Sequence, residues 1–209
     1  MTQLSSEVRG LLGDAAWWRL AGLLLECPSP EWRERVPGLA GEVDDPRLKQ
    51  AAGHALEEAS EGLYHSTFGP GGPAPPREVS YIHWAQPGFT LSGLRGFYDA
   101  FGYRTATAEP LDHVAVEAGF LSYLRLKQAY ATTSGDAEAA RIAEEAATQF
   151  LGEHISAIAE RLSRALDDAP ARYLAETGRA ILDRVGPAPK RAELSEPLVQ
   201  IEGAEFSCG

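Results

Sequence analysis

Cysteine is scarce: the 209-residue chain has 2, Cys27 and Cys208. They lie far apart and lack CxxC or Cys/His zinc spacing, so neither a disulfide scaffold nor a zinc module is expected, and a reducing compartment suits the composition. Long apolar runs are missing as well. The longest, Leu20 to Leu25, falls far short of the roughly 20 residues that cross a bilayer. The N-terminus has no basic segment and no small-residue cleavage site of a secretory signal, so the chain reads as cytoplasmic, without membrane insertion. No long basic run occurs, and 30 acidic residues against 19 basic ones give a formal charge of −11. That field disfavours a nucleic-acid backbone and suits a cationic partner. Signatures of nucleophilic and nucleotide chemistry are missing too: there is no GxSxG elbow, no cysteine beside a recognisable histidine, and no Walker or GxGxxG loop.

What is present is helical periodicity. With 44% hydrophobic and 23% charged residues the chain has an ordinary globular balance, and apolar residues recur at steps of three and four rather than two. An all-α fold is expected, a single helical domain over residues 1–209. The first helix is expected from Asp14 as N-cap through WWRLAGLLL to the CPSP stop. Ser29–Pro30 and Asp45–Pro46 open the next two. In the second of these, Leu48, Ala52, Ala55, Leu56, Ala59 and Leu63 form one stripe. GPGGPAPP, from Gly69 to Pro76, is a loop, part of a flexible Gly/Pro-rich segment over 69–88. Leu91 to Phe101 is helical, with Leu94, Phe97, Tyr98 and Phe101 inward. Another helix starts near Asp112, whose carboxylate can cap it, with Val116, Phe120, Leu121 and Leu124 inward. Asp136 opens a helical stretch to Leu166 with a bend near Gly152, and Pro170 starts the last helix, which GPAPK ends. The tail from Gly186 to Gly209 is either a docked extended segment or mobile.

The stretch EPLDHVAVEAGFLSYL, Glu109 to Leu124, concentrates polar groups at the start of an apolar helix. His113 and Glu117 are four apart and share a helical face. They read as part of a metal site or as a carboxylate-tuned base, or more plainly as a capped helix start with a hydrogen-bonded histidine. No second ligand pair accompanies them, which favours the plain reading. Of Trp17, Trp18, Trp32 and Trp84, the last, beside the Gly/Pro loop, is the one expected outside the core.

Two blocks, LYHSTFGPGG followed by PPREVSY and then EPLDHVAVEAGFL, resemble the TorD-like redox-enzyme maturation chaperone family. The matching residues are Tyr64, Phe68, Gly69, Pro70, Pro76, Glu78 and Tyr81 in the first, and Glu109, Asp112, His113, Glu117, Phe120 and Leu121 in the second, preceded by Tyr98 and Gly102. Phe150 and His154 are similar to a third family element. The chain departs from the pattern at Leu111, Ala118, Gly119 and Ile158. The resemblance implies an all-helical cytoplasmic chaperone with no enzymatic activity and no cofactor of its own. It would bind the N-terminal twin-arginine signal of a molybdenum-dependent oxidoreductase subunit, hold that catalytic subunit until its cofactor is inserted, and delay export. Such a signal puts two guanidinium groups ahead of an apolar run, so its receptor needs carboxylates beside a hydrophobic groove. Asp112 and Glu117 are the candidate acids and His113 a hydrogen-bonding neighbour, while Trp84, Phe89 and the 69–88 loop offer an apolar wall. Glu78 and Tyr81 either join this peptide-binding set or pin the loop to the helices. Asp112, at a helix start, is expected to be partly exposed. The alternatives are a small metal-dependent hydrolase using His113, Glu117 and His154, and an assembly scaffold that reads no signal peptide. Monomer and homodimer are both compatible with the sequence.

Overall fold

The computed structural model describes residues 4–82, 86–105, 107 and 109–187. Local capping chemistry places the first four helices: α1 (Ser6–Leu24), α2 (Pro30–Gly41), α3 (Pro46–Glu58) and α4 (Glu61–Phe68). Ser5, Ser29, Asp45 and Ser60 each accept from the backbone N–H three residues on, satisfying a donor that has no partner within the helix. The first helix therefore starts before Asp14, which lies inside it and pairs instead with Arg125 at 2.7 Å and with Arg184. The stripe expected from Leu48 to Leu63 is interrupted. Ala59 turns extended and Ser60 caps a new helix, so Leu48, Ala52 and Ala55 are buried while Leu56 stays 37% exposed.

Next come α5 (Pro87–Phe101) and α6 (Val114–Ser134). Each ends on a left-handed glycine, Gly102 at φ 65° and Gly135 at φ 75°, the conformation that glycine adopts without steric cost. Pro87 and Gly88, expected in the loop, form the first turn of α5, where proline lacks only a donor that no helix carbonyl would accept. The Asp136 helix is α7 (Ala137–Phe150), which passes through one widened turn at Leu151–Ile155 into α8 (Ser156–Asp167). The expected bend near Gly152 falls in that turn. α9 (Arg172–Val185) starts just after the predicted Pro170, with Ala171 as N-cap. Ala171 has no side-chain acceptor, and Glu58 from the end of α3 supplies one to Tyr173 N–H at 2.8 Å. Trp84 and the segment from 188 onward, Cys208 included, lie outside the described residues.

The bundle packs α6 between α1 and α7, and α9 between α3 and α8. Gly22 lets α1 approach α6 closely, since a Cβ there would stand 3.0 Å from the Ala115 carbonyl oxygen. Trp17, Trp18 and Trp32 are core residues, as are Phe120, Leu121, Leu124, Phe150, Tyr173 and Ile181. Among the described residues there is no strand beyond an isolated antiparallel bridge between Arg77 and His113, and no helix is long and apolar enough to cross a membrane.

Candidate functional site

That bridge organises the site. After α4 the chain folds back on itself: Gly72 N–H donates to Gly69 O at 2.9 Å, and Ala74 N–H to Thr67 O at 3.2 Å. A Cβ on Gly72 would stand 2.2 Å from the Thr67 carbonyl oxygen, so only glycine fits this return. Val114 N–H then donates to Pro76 O at 2.9 Å and Glu78 N–H to Asp112 O at 2.8 Å, fastening the loop to the start of α6. Tyr81, buried, donates its hydroxyl to Pro75 O at 2.7 Å. Through these bonds Glu78 and Tyr81 pin the loop.

Glu78, Asp112, His113 and Glu117 are all buried, and His154 of the widened turn joins them. Asp112 is fully buried rather than partly exposed, and it does not cap α6. Its carboxylate accepts from Arg77, with Nε at 2.9 and 3.1 Å from the two oxygens and Nη2 at 2.8 Å from one of them. His113 caps α6 instead, its Nδ1 accepting from Ala115 N–H at 3.2 Å. That bond requires an unprotonated Nδ1, so in the neutral ring Nε2 carries the hydrogen and faces the Tyr64 hydroxyl at 3.2 Å, and Tyr64 in turn donates to Glu109 at 3.3 Å. Burial lowers the His113 pKa, a push that Glu109 and Asp112 oppose and Arg77 reinforces. Burial likewise drives Tyr64 up, helped by Glu109.

Deeper in, Glu78 accepts from His154 Nδ1 at 2.9 and 3.1 Å. Neither Glu117 oxygen has a hydrogen-bond partner, nor does His154 Nε2. Burial first, then the Glu78 and Asp112 carboxylates, raise the Glu117 pKa well above the ordinary carboxylate range. As two ionised carboxylates Glu78 and Glu117 only repel; one proton placed on Glu117 gives Glu78 a donor.

An open cleft of about 390 Å³ lies beside this cluster, walled by Phe68, Pro70, Pro76, Arg77, Glu109 and His113 among others. Arg77 and Glu109 are its accessible charges, with side chains 41% and 30% exposed. Phe89 stands 73% exposed on α5 and is not part of this wall. Both nitrogens of His113 are engaged, and no group of three side chains that could hold a metal ion occurs among the described residues. Sequence reasoning missed Arg77 as the partner of Asp112, and it left Glu109 outside the candidate set. The available signal was a single arginine amid the acids of the two blocks.

Residues 31–164, well over half of the chain and including every residue of this cluster, match the family described as nitrate reductase delta subunit. The chain belongs to that family. Nitrate reductase delta subunits are TorD-like maturation chaperones that act on molybdoenzyme subunits, rather than enzymes. No curated protein matches the chain.

Proposed function

We propose that this delta-subunit chaperone binds the N-terminal signal of a molybdenum-dependent oxidoreductase catalytic subunit, a segment with adjacent arginines ahead of an apolar run, and holds the subunit on the cytoplasmic side while its cofactor is inserted. The observation that carries this reading is the pairing of Arg77 with buried Asp112 at the wall of the cleft. A fully desolvated carboxylate that accepts a guanidinium at two oxygens has the chemistry for capturing another arginine. Arg77 has water on its outer side and can swing away, leaving Asp112 to a leader arginine while Glu109 meets the neighbouring one. Two exposed prolines of the loop, Pro70 and Pro75, offer apolar surface to the leader's apolar run. Glu78 and His154, hydrogen-bonded to each other, tie the loop to the widened turn behind the cleft.

Calorimetry tests this with a leader peptide, a version with both arginines changed to glutamine, and one with a shortened apolar run. Loss of the arginines is expected to weaken binding more than raising the salt does, because salt screens the long-range acidic field and leaves close pairs largely intact. Shortening is expected to cost about 0.8 kcal/mol per methylene that was buried. In Arg77→Gln, where Asp112 loses its cationic partner, the leader is expected to raise the unfolding midpoint more than in the wild type. Equal affinity for all three peptides overturns the proposal and favours a scaffold that reads no signal.

A further inference from the structure

The chain carries −11 overall, yet one face gathers arginines. Arg19 of α1, Arg35 of α2 and Arg104 after α5 line a cavity of about 260 Å³ against α6. An adjoining cavity of about 220 Å³ is lined by Arg95 of α5 and again by Arg104. Tyr103, Arg104 and Thr105 border both cavities, which makes them one groove. It shares no lining residue with the cleft at Asp112 and Glu109. Gly119 makes room for its floor, since a Cβ there would stand 2.7 Å from the Tyr103 hydroxyl.

The acids nearby answer two of these four arginines. Glu26 pairs with Arg19 at 2.7 Å, and Asp99 reaches Arg104 at the longer distance of 3.4 Å. Arg35 and Arg95 are exposed and have no ion-pair partner among the described residues. A guanidinium recognises carboxylates and phosphates alike, so the shape of the groove selects the ligand. A compact anion fills one cavity and meets either Arg35 or Arg95. Spanning both takes a chain with several separated negative charges, and Tyr103 and Tyr123 give that chain flat surfaces to lie on.

We infer that this groove receives an extended acidic segment of a partner polypeptide, bound by Arg35, Arg104 and Arg95 in succession. The occupant differs in charge from the cationic leader and binds elsewhere on the surface.

The test uses the full chain and a fluorescently labelled peptide of alternating glutamate and alanine, about eight residues long and so spanning ~27 Å when extended. Its glutamine counterpart is the control. The glutamate peptide is expected to bind about tenfold more tightly than the glutamine peptide. The double variant Arg35→Gln/Arg95→Gln is expected to lose about fivefold in affinity, as two solvent-facing pairs would give, with an unchanged helical circular dichroism spectrum and midpoint. Equal binding of the two peptides, or a double variant that binds like wild type, overturns the inference. So does pyrophosphate binding more tightly than the peptide, which would assign the arginines to a compact phosphate. Single-stranded oligothymidylate of equal charge binding as well as the peptide would overturn it as a generic polyanion effect.

Discussion

Along α6, Glu117 and Phe120 lie within one turn of each other, both fully buried, in opposite surroundings. Phe120 meets the rings of Tyr98, Tyr103 and Phe150 with centroids 4.8, 5.2 and 4.7 Å away, edge-on or tilted. Each such contact adds to the stability that burial already supplies. Glu117, when ionised, has no hydrogen-bond partner and keeps company with two other buried carboxylates. Apolar burial accumulates contact by contact, whereas polar burial stabilises only when each group is answered. The middle of α6 therefore holds the bundle together, and its start sets the loop and cleft at a cost in stability.

Truncating the aromatic side of this comparison has the largest expected effect. Phe120→Ala is predicted to destabilise the chain by about 3–5 kcal/mol, read from denaturant midpoints at unchanged slope. A loss no larger than those at the polar end would erase the contrast.

Within the polar end, the Arg77–Asp112 pair should be asymmetric. Arg77→Ala leaves the buried carboxylate with only the Val79 N–H, 3.5 Å away, and is predicted to cost about 3 kcal/mol. Asp112→Ala frees an arginine that is already 41% exposed and can turn to water, so about 1 kcal/mol is expected. The reverse order in chemical denaturation would mean that Asp112 matters through packing rather than charge.

The smallest effect at fixed pH is predicted for Glu117→Gln, within about 0.5 kcal/mol near pH 4.5, where the isosteric amide replaces a protonated acid. The pH dependence sharpens the point. Glu117 is raised in the folded state, so wild-type stability is full below the ordinary value of 4.5 and falls as pH rises through the higher folded value. The variant should lack that decline. His113 has the opposite sign: its folded pKa is lowered, so its contribution is present above the ordinary 6.5 and is lost as pH falls through the folded value. Unfolding curves of Glu117→Gln and His113→Gln across this range would separate the two, and parallel profiles would show that neither group titrates as its surroundings dictate.

Helix boundaries were legible where a cap sits beside its helix. Ser29, Asp45 and Asp136 act within a turn of their own position. Asp14 was misleading, because a carboxylate reads as a cap whether it begins a helix or reaches sideways from its middle to Arg125. The candidate acids were legible as residue types, and their neighbourhood was not. Asp112 resembles an exposed cap until Arg77, 35 residues away, is seen to hold it.

The sequence by itself determined an all-helical chain, its inward apolar positions on α5 and α6, and the glycine and proline residues that turn it after α4. These features depend on periodicity and on the few backbone conformations that each residue tolerates, which are local properties. Tertiary structure decided which carboxylate is paired, which one burial pushes toward its neutral form and which residue caps α6. It also decided that arginines from α1, α2, α5 and the α5–α6 connection share one groove. Those outcomes depend on distance and on exclusion of water between residues far apart in the chain, and both exist only after the helices have packed.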